Sequence, residues 1–258
     1  MIKNYKKPFL PLIKALGKRI EKRHFTEPPV FIGGCARSGT TLLLSVLSAH
    51  KELFCVPREV SAFSEIGKDK GGNPFPERID RLYTAFLRYK IQPEANRFCE
   101  KTPRNVRSIS EIDRFYAGRF RFIHVVRDGR DVVLSRHPKG ADGYWVSPER
   151  WVNDVAEGLK YVDHPNVYTI KYEDLINDFE PTMKKVCDFI GIPWSEEMES
   201  WLENSRVQRN VAYFGRQVKP INNQSIGKWQ KPESQDRVNY FLDYPGAKEL
   251  LEKLGYLG

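Results

Sequence analysis

Residues 30–44 read Val-Phe-Ile-Gly-Gly-Cys-Ala-Arg-Ser-Gly-Thr-Thr-Leu-Leu-Leu, and they carry the clearest structural signal in this chain. An apolar run, a glycine-rich polar turn and a second apolar run predict a strand, a loop and a helix. The first N–H groups of a helix have no partner within it, so a loop at that position can cradle an anion. The spacing from Gly34 to Gly39 is that of a Walker A loop, but Thr40 and Thr41 stand where that motif needs Lys and Ser or Thr. The loop therefore predicts a site for a phosphate-like group other than Mg-ATP.

The composition is that of a globular protein with one full core. Of the 258 residues, 40% are apolar and 29% are charged. No apolar run reaches the roughly 20 residues of a bilayer span, and the N-terminus lacks the pattern of an export signal. The four cysteines are widely spaced without a metal-ligand pattern, which favours free thiols in a reducing compartment. We therefore predict a cytoplasmic protein.

The net charge of +9 is concentrated at the N-terminus. Residues 1–25 hold a cluster of lysines and arginines against one acid, Glu21, and the remainder is nearly neutral, so we predict no nucleic-acid partner. Apolar residues at helical spacing between Phe9 and Ile20 predict a basic amphipathic helix. Such a helix docks on its own domain, lies on a membrane surface as a peripheral contact, or binds another partner. We divide the chain into this segment, residues 1–27, and one domain, residues 28–258.

Strands alternate with helices from Pro28 onward. This order predicts an α/β fold: a P-loop-like, doubly wound parallel sheet of about five strands, with helices on both faces. The predicted strands are 30–33, 53–56, 97–99, 119–126 and 167–171. The predicted helices are 38–50, 79–90, one that opens at Ser147, and 175–190. Residues 206–235 are polar and irregular, and their length predicts a functional loop.

A polar or charged cluster follows each predicted strand. In open parallel sheets the ligand crevice lies beyond the carboxyl ends of the strands, so five such clusters predict a site there. The clusters are residues 34–41, 57–59, 100–103, 127–131 and 172–174.

Two of these clusters resemble the sulfotransferases that use 3′-phosphoadenosine 5′-phosphosulfate (PAPS). Residues 36–41, Ala-Arg-Ser-Gly-Thr-Thr, are similar to the Pro-Arg-Ser-Gly-Thr-Thr loop of the bacterial, Golgi and tyrosylprotein branches, with Ala in place of Pro. Arg127, followed eight residues later by Ser135, is similar to the family's 3′-phosphate signature. The resemblance extends over residues 29–229. It implies transfer of a sulfuryl group from PAPS to an acceptor hydroxyl, less readily an amine, by in-line displacement that leaves 3′,5′-adenosine bisphosphate.

The resemblance also implies the catalytic residues. Lys101 is similar to the family lysine that reaches the bridging oxygen of the donor and neutralises the leaving phosphate. Glu59 follows the second strand, where related branches carry a glutamate base, and His137 is the alternative base. A glutamate needs burial to act as an efficient base near neutral pH. The predicted catalytic residues are Glu59, Lys101 and Arg37.

The donor-binding residues come from four parts of the chain. The loop would bind the 5′-phosphosulfate end, while Arg127 and Ser135, which we place at the start of a helix, would bind the 3′-phosphate. Tyr172 is similar to a family aromatic near the adenine, with core packing as the open alternative. Residues 225–229 are similar to a late loop that folds over the nucleotide, in which Trp229 covers the base or anchors the loop. The predicted donor-binding residues are Gly34, Arg37, Ser38, Gly39, Thr40, Thr41, Arg127, Ser135, Tyr172, Ser225, Lys228 and Trp229.

The acceptor and two other functions stay open at this point. Aromatic residues within 61–95 and 136–150 predict a pocket for a small-molecule, carbohydrate or lipid acceptor. No carboxylate–histidine cluster indicates a metal, and cationic stabilisation needs none. A P-loop nucleotide-dependent kinase and a non-catalytic protein that binds polyanions or membranes are the alternative functions.

Overall fold

A five-stranded, all-parallel sheet forms the centre of the molecule, in the order β2-β5-β1-β6-β7. The structure is a computed structural model that describes residues 9–63, 66–68, 72, 74–76, 78–136, 143–207 and 223–257. In chain order the elements are α1 Leu10–His24, β1 Val30–Gly33, α2 Thr40–Leu47, β2 Leu53–Cys55, β3 Ile66–Lys68, β4 Pro74–Pro76, α3 Ile79–Arg88, β5 Arg97–Lys101, α4 Ile109–Tyr116, β6 Arg121–Val126, α5 Gly129–Val132, α6 Pro148–Leu159, β7 Val167–Lys171, α7 Tyr172–Asn177, α8 Phe179–Ile190, α9 Glu196–Glu199, α10 Trp201–Asn204, α11 Gln235–Leu242 and α12 Ala247–Lys253.

Each face of the sheet has its own type of core, because alternate residues of a strand point to opposite faces. Val30 and Ile32 of β1 join an aliphatic core with α2 and α8. Phe31 joins an aromatic core on the other face, with α3 and α4. The other strand phenylalanines of that aromatic core are Phe54, Phe98 and Phe122.

A third core cluster lies beyond the end of β6 and joins α5, α6, α11 and α12. Its centre is Trp151, whose ring meets that of Phe241 edge to face with centroids 5.2 Å apart. The indole Nε1 donates to the Arg127 carbonyl at 3.1 Å. This cluster therefore fixes the backbone that leaves the carboxyl end of β6.

The predicted fold class is confirmed. β1 and β7 have the predicted bounds, β5 continues through Lys101, and the helix predicted over 175–190 is divided at Asp178 into α7 and α8. The antiparallel hairpin of β3 and β4 was not predicted. Each of its strands has three residues and contains Gly or Pro, which sequence patterns associate with loops.

The predicted amphipathic helix is α1, and it docks on the domain. Gly17 lies against α3 so closely that an added Cβ would be 2.1 Å from Cβ of Tyr83. Residues 1–8 of this segment lie outside the described residues, and the division of the chain at residue 27 stays a prediction. Among the described residues, no helix is both long enough and apolar enough to cross a membrane.

His124 of β6 makes folding stability dependent on pH. It is fully buried, and burial lowers its pKa from 6.5 to about 4. The unfolded chain therefore binds a proton below about pH 6.5 that the folded chain does not, so this residue reduces stability as the pH falls from 6.5 toward 4. We expect His124→Leu to remove about 2 kcal/mol of the loss in unfolding free energy between pH 7 and pH 5.

Urea unfolding of both proteins at the two pH values measures this difference. The surface variant His24→Gln serves as the control and should keep the wild-type pH dependence. If the unfolding free energy of His124→Leu falls between pH 7 and pH 5 as much as that of the wild type, the pH dependence belongs to other groups.

Candidate active site

The loop between β1 and α2 has the backbone geometry of an anion cradle. Gly34 adopts φ +148°, and Gly39, the N-cap of α2, adopts φ +93°. Arg37 also has a positive φ of 74°, which residues with a side chain rarely adopt. The Ser38 hydroxyl is buried and has no hydrogen-bond partner among the described residues, so it is available to a ligand oxygen. The loop places buried Ser38 and Thr40, and exposed Arg37, at the start of α2, as the sequence predicts for an anion site.

Lys101 and Glu59 meet beside this loop. Lys101 pairs in register with Ile32, so it lies next to the end of β1. Its Nζ is 2.5 Å from Oε1 of Glu59, and the two predicted catalytic residues therefore form an ion pair. The Lys101 side chain is fully buried, whereas 41% of the Glu59 side chain is exposed. The prediction for Glu59 relied on burial, which the structure does not show, and the exposed carboxylate is accessible to an acceptor instead.

Glu100 holds the segment that carries Glu59, a role that the sequence reasoning did not predict. Its buried carboxylate accepts hydrogen bonds from Thr102 Oγ1 and Asn105 Nδ2, each at 2.6 Å. The backbone N–H of Val60 donates to the same carboxylate at 3.5 Å. Burial raises the pKa of Glu100, while these hydrogen bonds oppose the rise. Since Val60 follows Glu59 directly, Glu100 links the segment that carries Glu59 to the end of β5.

Arg127 joins the phosphate loop to the late loop. Its Nη1 donates to the Arg37 carbonyl at 3.0 Å, and its Nη2 donates to the Ser225 carbonyl. Its guanidinium lies 4.4 Å from the ring centroid of Tyr172. The structure therefore places both terminal nitrogens of Arg127 on backbone carbonyls, while the buried Nε has no partner among the described residues. Binding of a 3′-phosphate by Arg127 stays a prediction.

Tyr172, the first residue of α7, packs against the phosphate loop. A Cβ added at Gly39 would lie 2.4 Å from its ring. The ring is buried between the loop and Arg127. This contact matches the core-packing alternative, and an adenine contact of Tyr172 stays a prediction.

Asp131 ties the late loop to α5. Its two carboxylate oxygens accept from the backbone N–H groups of Gly227 at 2.8 Å and Trp229 at 3.1 Å. The Trp229 ring lies 3.6 Å from the guanidinium of Arg130, which also forms an ion pair with Asp128 at 2.7 Å. These contacts match the anchoring alternative for Trp229, and a contact of its ring with the base stays a prediction.

Ser135 lies beside a small basic cavity of about 270 Å³. The prediction that Ser135 starts a helix is wrong, because α5 ends at Val132 and Ser135 follows a short turn. The neighbouring Arg136, together with Lys228 and Lys231, lines the cavity, so the predicted Lys228 and two further cations converge there. The residues that line it are Leu134, Arg136, Tyr144, Lys228, Lys231, Glu233 and Ser234.

The sequence-predicted site residues come together at one edge of the sheet, with two exceptions. His137, the alternative base, lies outside the described residues, as do residues 208–222 of the predicted functional loop. The sequence reasoning placed Glu100 and Asp131 within predicted clusters but gave them no role, and it did not single out Arg136 or Lys231. In the part of the chain that the structure describes, no group of three or more His, Cys, Asp or Glu side chains is placed to hold a metal ion.

Comparison with known proteins identifies the class. The model of the sulfotransferase family matches residues 28–82 and 75–196, which is more than half of the chain. The chain belongs to the sulfotransferase family, and the prediction of a sulfotransferase is confirmed. This membership does not favour the kinase or the non-catalytic alternative.

Individual relatives agree with this assignment. Protein-tyrosine sulfotransferase A of Caenorhabditis elegans is 26% identical over 261 residues, covering 90% of this chain and 68% of the relative. Among solved structures, the sulfotransferase domain from the curacin biosynthetic pathway has a TM-score of 0.58 at 18% identity, covering 90% of this chain and 99% of that domain. Mouse sulfotransferase SULT7A1, complexed with PAP, has a TM-score of 0.51 at 15% identity, covering 93% of this chain and 94% of the mouse chain. At 18% and 15% sequence identity, these two structures support the fold assignment alone.

The anchoring role of Asp131 predicts the behaviour of the late loop. Asp131→Ala removes two hydrogen bonds to a carboxylate, each worth about 1.5–3 kcal/mol. We expect hydrogen exchange of the Gly227 and Trp229 amides to become about 100-fold faster or more. Asp236→Ala, on the exposed side of α11, is the matched control, and slow exchange retained in Asp131→Ala would contradict the anchoring role.

Proposed function

We propose that this chain transfers a sulfuryl group from PAPS to the hydroxyl of a tyrosine side chain in a protein or peptide. The observation that carries the proposal is the position of the Glu59–Lys101 ion pair beside the phosphate loop, at the adjoining ends of β1 and β5. Gly34 N–H donates to the Pro103 carbonyl at 3.0 Å, which joins the loop to the segment after Lys101. A base, a cation and an anion cradle thus share one edge of the sheet.

The residues present fit an adenosine that carries anionic groups at two ends. The phosphate loop supplies N–H groups, Arg37 and the unpartnered Ser38 hydroxyl for the 5′ end. The basic cavity beside Ser135 supplies Arg136, Lys228 and Lys231 for the 3′-phosphate. The mouse sulfotransferase of similar fold is complexed with PAP, which supports this choice of nucleotide.

Each catalytic side chain has a distinct task. The bound donor supplies an activated sulfuryl group and a phosphate leaving group. Glu59 accepts the proton of the acceptor hydroxyl through its exposed carboxylate. Lys101 Nζ, which solvent does not reach, presents a positive charge where the leaving phosphate becomes more negative. Arg37, an exposed cation of the phosphate loop, would supply positive charge to the oxygens of the group being transferred.

The tyrosine acceptor rests on the relatives. The curated relatives from Caenorhabditis elegans and Gallus gallus are named as protein-tyrosine sulfotransferases. This favours a protein acceptor over the small-molecule, carbohydrate or lipid acceptor expected from the aromatic residues of the sequence. A cytoplasmic location stays a prediction.

Transfer from labelled PAPS to a pair of peptides, identical except that Phe replaces Tyr in one, tests the acceptor. With labelled PAPS, we expect label only in the tyrosine peptide. With labelled ATP and magnesium, we expect no transfer to either peptide. Label in both peptides would assign the acceptor to another side chain. Label only in a phenol, sugar or lipid offered in parallel would restore a small-molecule acceptor.

Replacing the base tests the mechanism. We expect Glu59→Gln to lower kcat by about 10²–10⁴. Gln can still accept a hydrogen bond from Lys101 but carries no competing charge, so 3′,5′-adenosine bisphosphate should bind no more weakly than to the wild type. Titration calorimetry with that nucleotide measures the affinity, and the exposed Glu94→Gln is the matched control. Wild-type turnover in Glu59→Gln would exclude this residue as the base.

A further inference from the structure

Helix α1 is held against the domain by one of its faces. Ile13 and Ile20 pack on the aromatic core, between them Gly17 contacts Tyr83, and Glu21 accepts hydrogen bonds from Tyr83 at 2.9 Å and from Tyr116 at 3.1 Å. Because these contacts fix the rotation of the helix, the rest of its surface is presented in a defined orientation.

An apolar stripe lies on the flank of the helix beside the docked face. Phe9, Leu12 and Leu16 are 59%, 55% and 41% exposed. Their spacing of three and four residues places them on one side of the helix. Arg19 and Arg23 continue the same line toward the C-terminal end, where both are exposed.

The exposed surface of α1 carries only positive charge. The acid of the helix, Glu21, is turned inward onto two tyrosine hydroxyls, and burial raises its pKa. The exposed cations of the helix are Lys18, Arg19, Lys22 and Arg23. An apolar stripe bordered by cations, with no acid facing outward from α1, complements an anionic lipid surface.

We propose that α1 docks the protein on an anionic bilayer surface. Phe9, Leu12 and Leu16 enter the boundary between headgroups and acyl chains, while Arg19, Arg23 and the neighbouring lysines meet the anionic headgroups. The apolar side chains favour lipid over a soluble polyanion such as RNA, because three adjacent exposed apolar groups add nothing to phosphate binding in water. The proposal does not depend on the identity of the acceptor.

Flotation of the full chain with vesicles tests the proposal. We expect binding to phosphatidylcholine vesicles that contain phosphatidylserine, little binding to phosphatidylcholine alone, and weaker binding as salt is added. The double variant Leu12→Gln/Leu16→Gln should bind at least about ten-fold more weakly than the wild type. Arg19→Gln/Arg23→Gln should bind about thirty-fold more weakly.

Matched controls separate docking from general surface effects. Val162→Gln replaces an apolar side chain that is 50% exposed elsewhere, and Lys248→Gln/Lys253→Gln removes two exposed cations of α12. Both controls should bind as the wild type does. The melting temperature of the α1 variants should also stay unchanged, because the substituted side chains are exposed.

Two results would overturn the proposal. The first is equal binding of wild type and both α1 variants to the phosphatidylserine vesicles, or no binding by any of them. The second is a wild-type dimer that Leu12→Gln/Leu16→Gln converts to a monomer, measured by light scattering, which would assign the stripe to a second copy of the chain.

Discussion

The close approach of Gly34 to β6 is the constraint on which the site depends. A Cβ at this position would lie 2.2 Å from the Val125 carbonyl oxygen, so the chain can turn from β1 into the phosphate loop only with glycine here. This turn lies between β5 and β6, the two neighbours of β1 in the sheet. Lys101 at the end of one neighbour and Arg127 just beyond the other are thereby brought to the loop. Without that turn, the anion cradle, the ion pair and the late loop would have no common edge.

Arg127 has a wider structural role than the phosphate contact expected of it. It binds the carbonyl of Arg37, a residue in a backbone conformation that non-glycine residues rarely adopt, and also the carbonyl of Ser225. A single side chain therefore stabilises the loop that contacts one end of the proposed donor and positions the loop that contacts the other. Asp131 completes this arrangement with two further hydrogen bonds to the late loop.

The parts of the site that sequence alone predicted are those whose signal is local. The glycines and hydroxyls of residues 34–41 sit at fixed spacing, and the alternation of apolar residues in β1 and β6 determines which side of the sheet each contacts. The contacts of Asp131 were not predictable, because its partners lie almost a hundred residues later in an irregular segment. Glu100 was missed for a similar reason: in sequence it is only one charged residue before Lys101, and its partners become evident when Thr102, Asn105 and Val60 are folded around it. Ser135 was placed at a helix start because the sequence pattern does not reveal that α5 has a single turn.

The unequal exposure of the Glu59–Lys101 pair has a consequence for the timing of the proposed reaction. Glu59 loses its negative charge when it takes the acceptor proton, and a fully buried ammonium without a compensating anion is strongly unfavourable. The departing phosphate gains negative charge during the same step and is then available as the replacement counterion. An exchange of one anion for another around a stationary cation would therefore couple deprotonation of the acceptor to release of the leaving group, with no movement of the backbone.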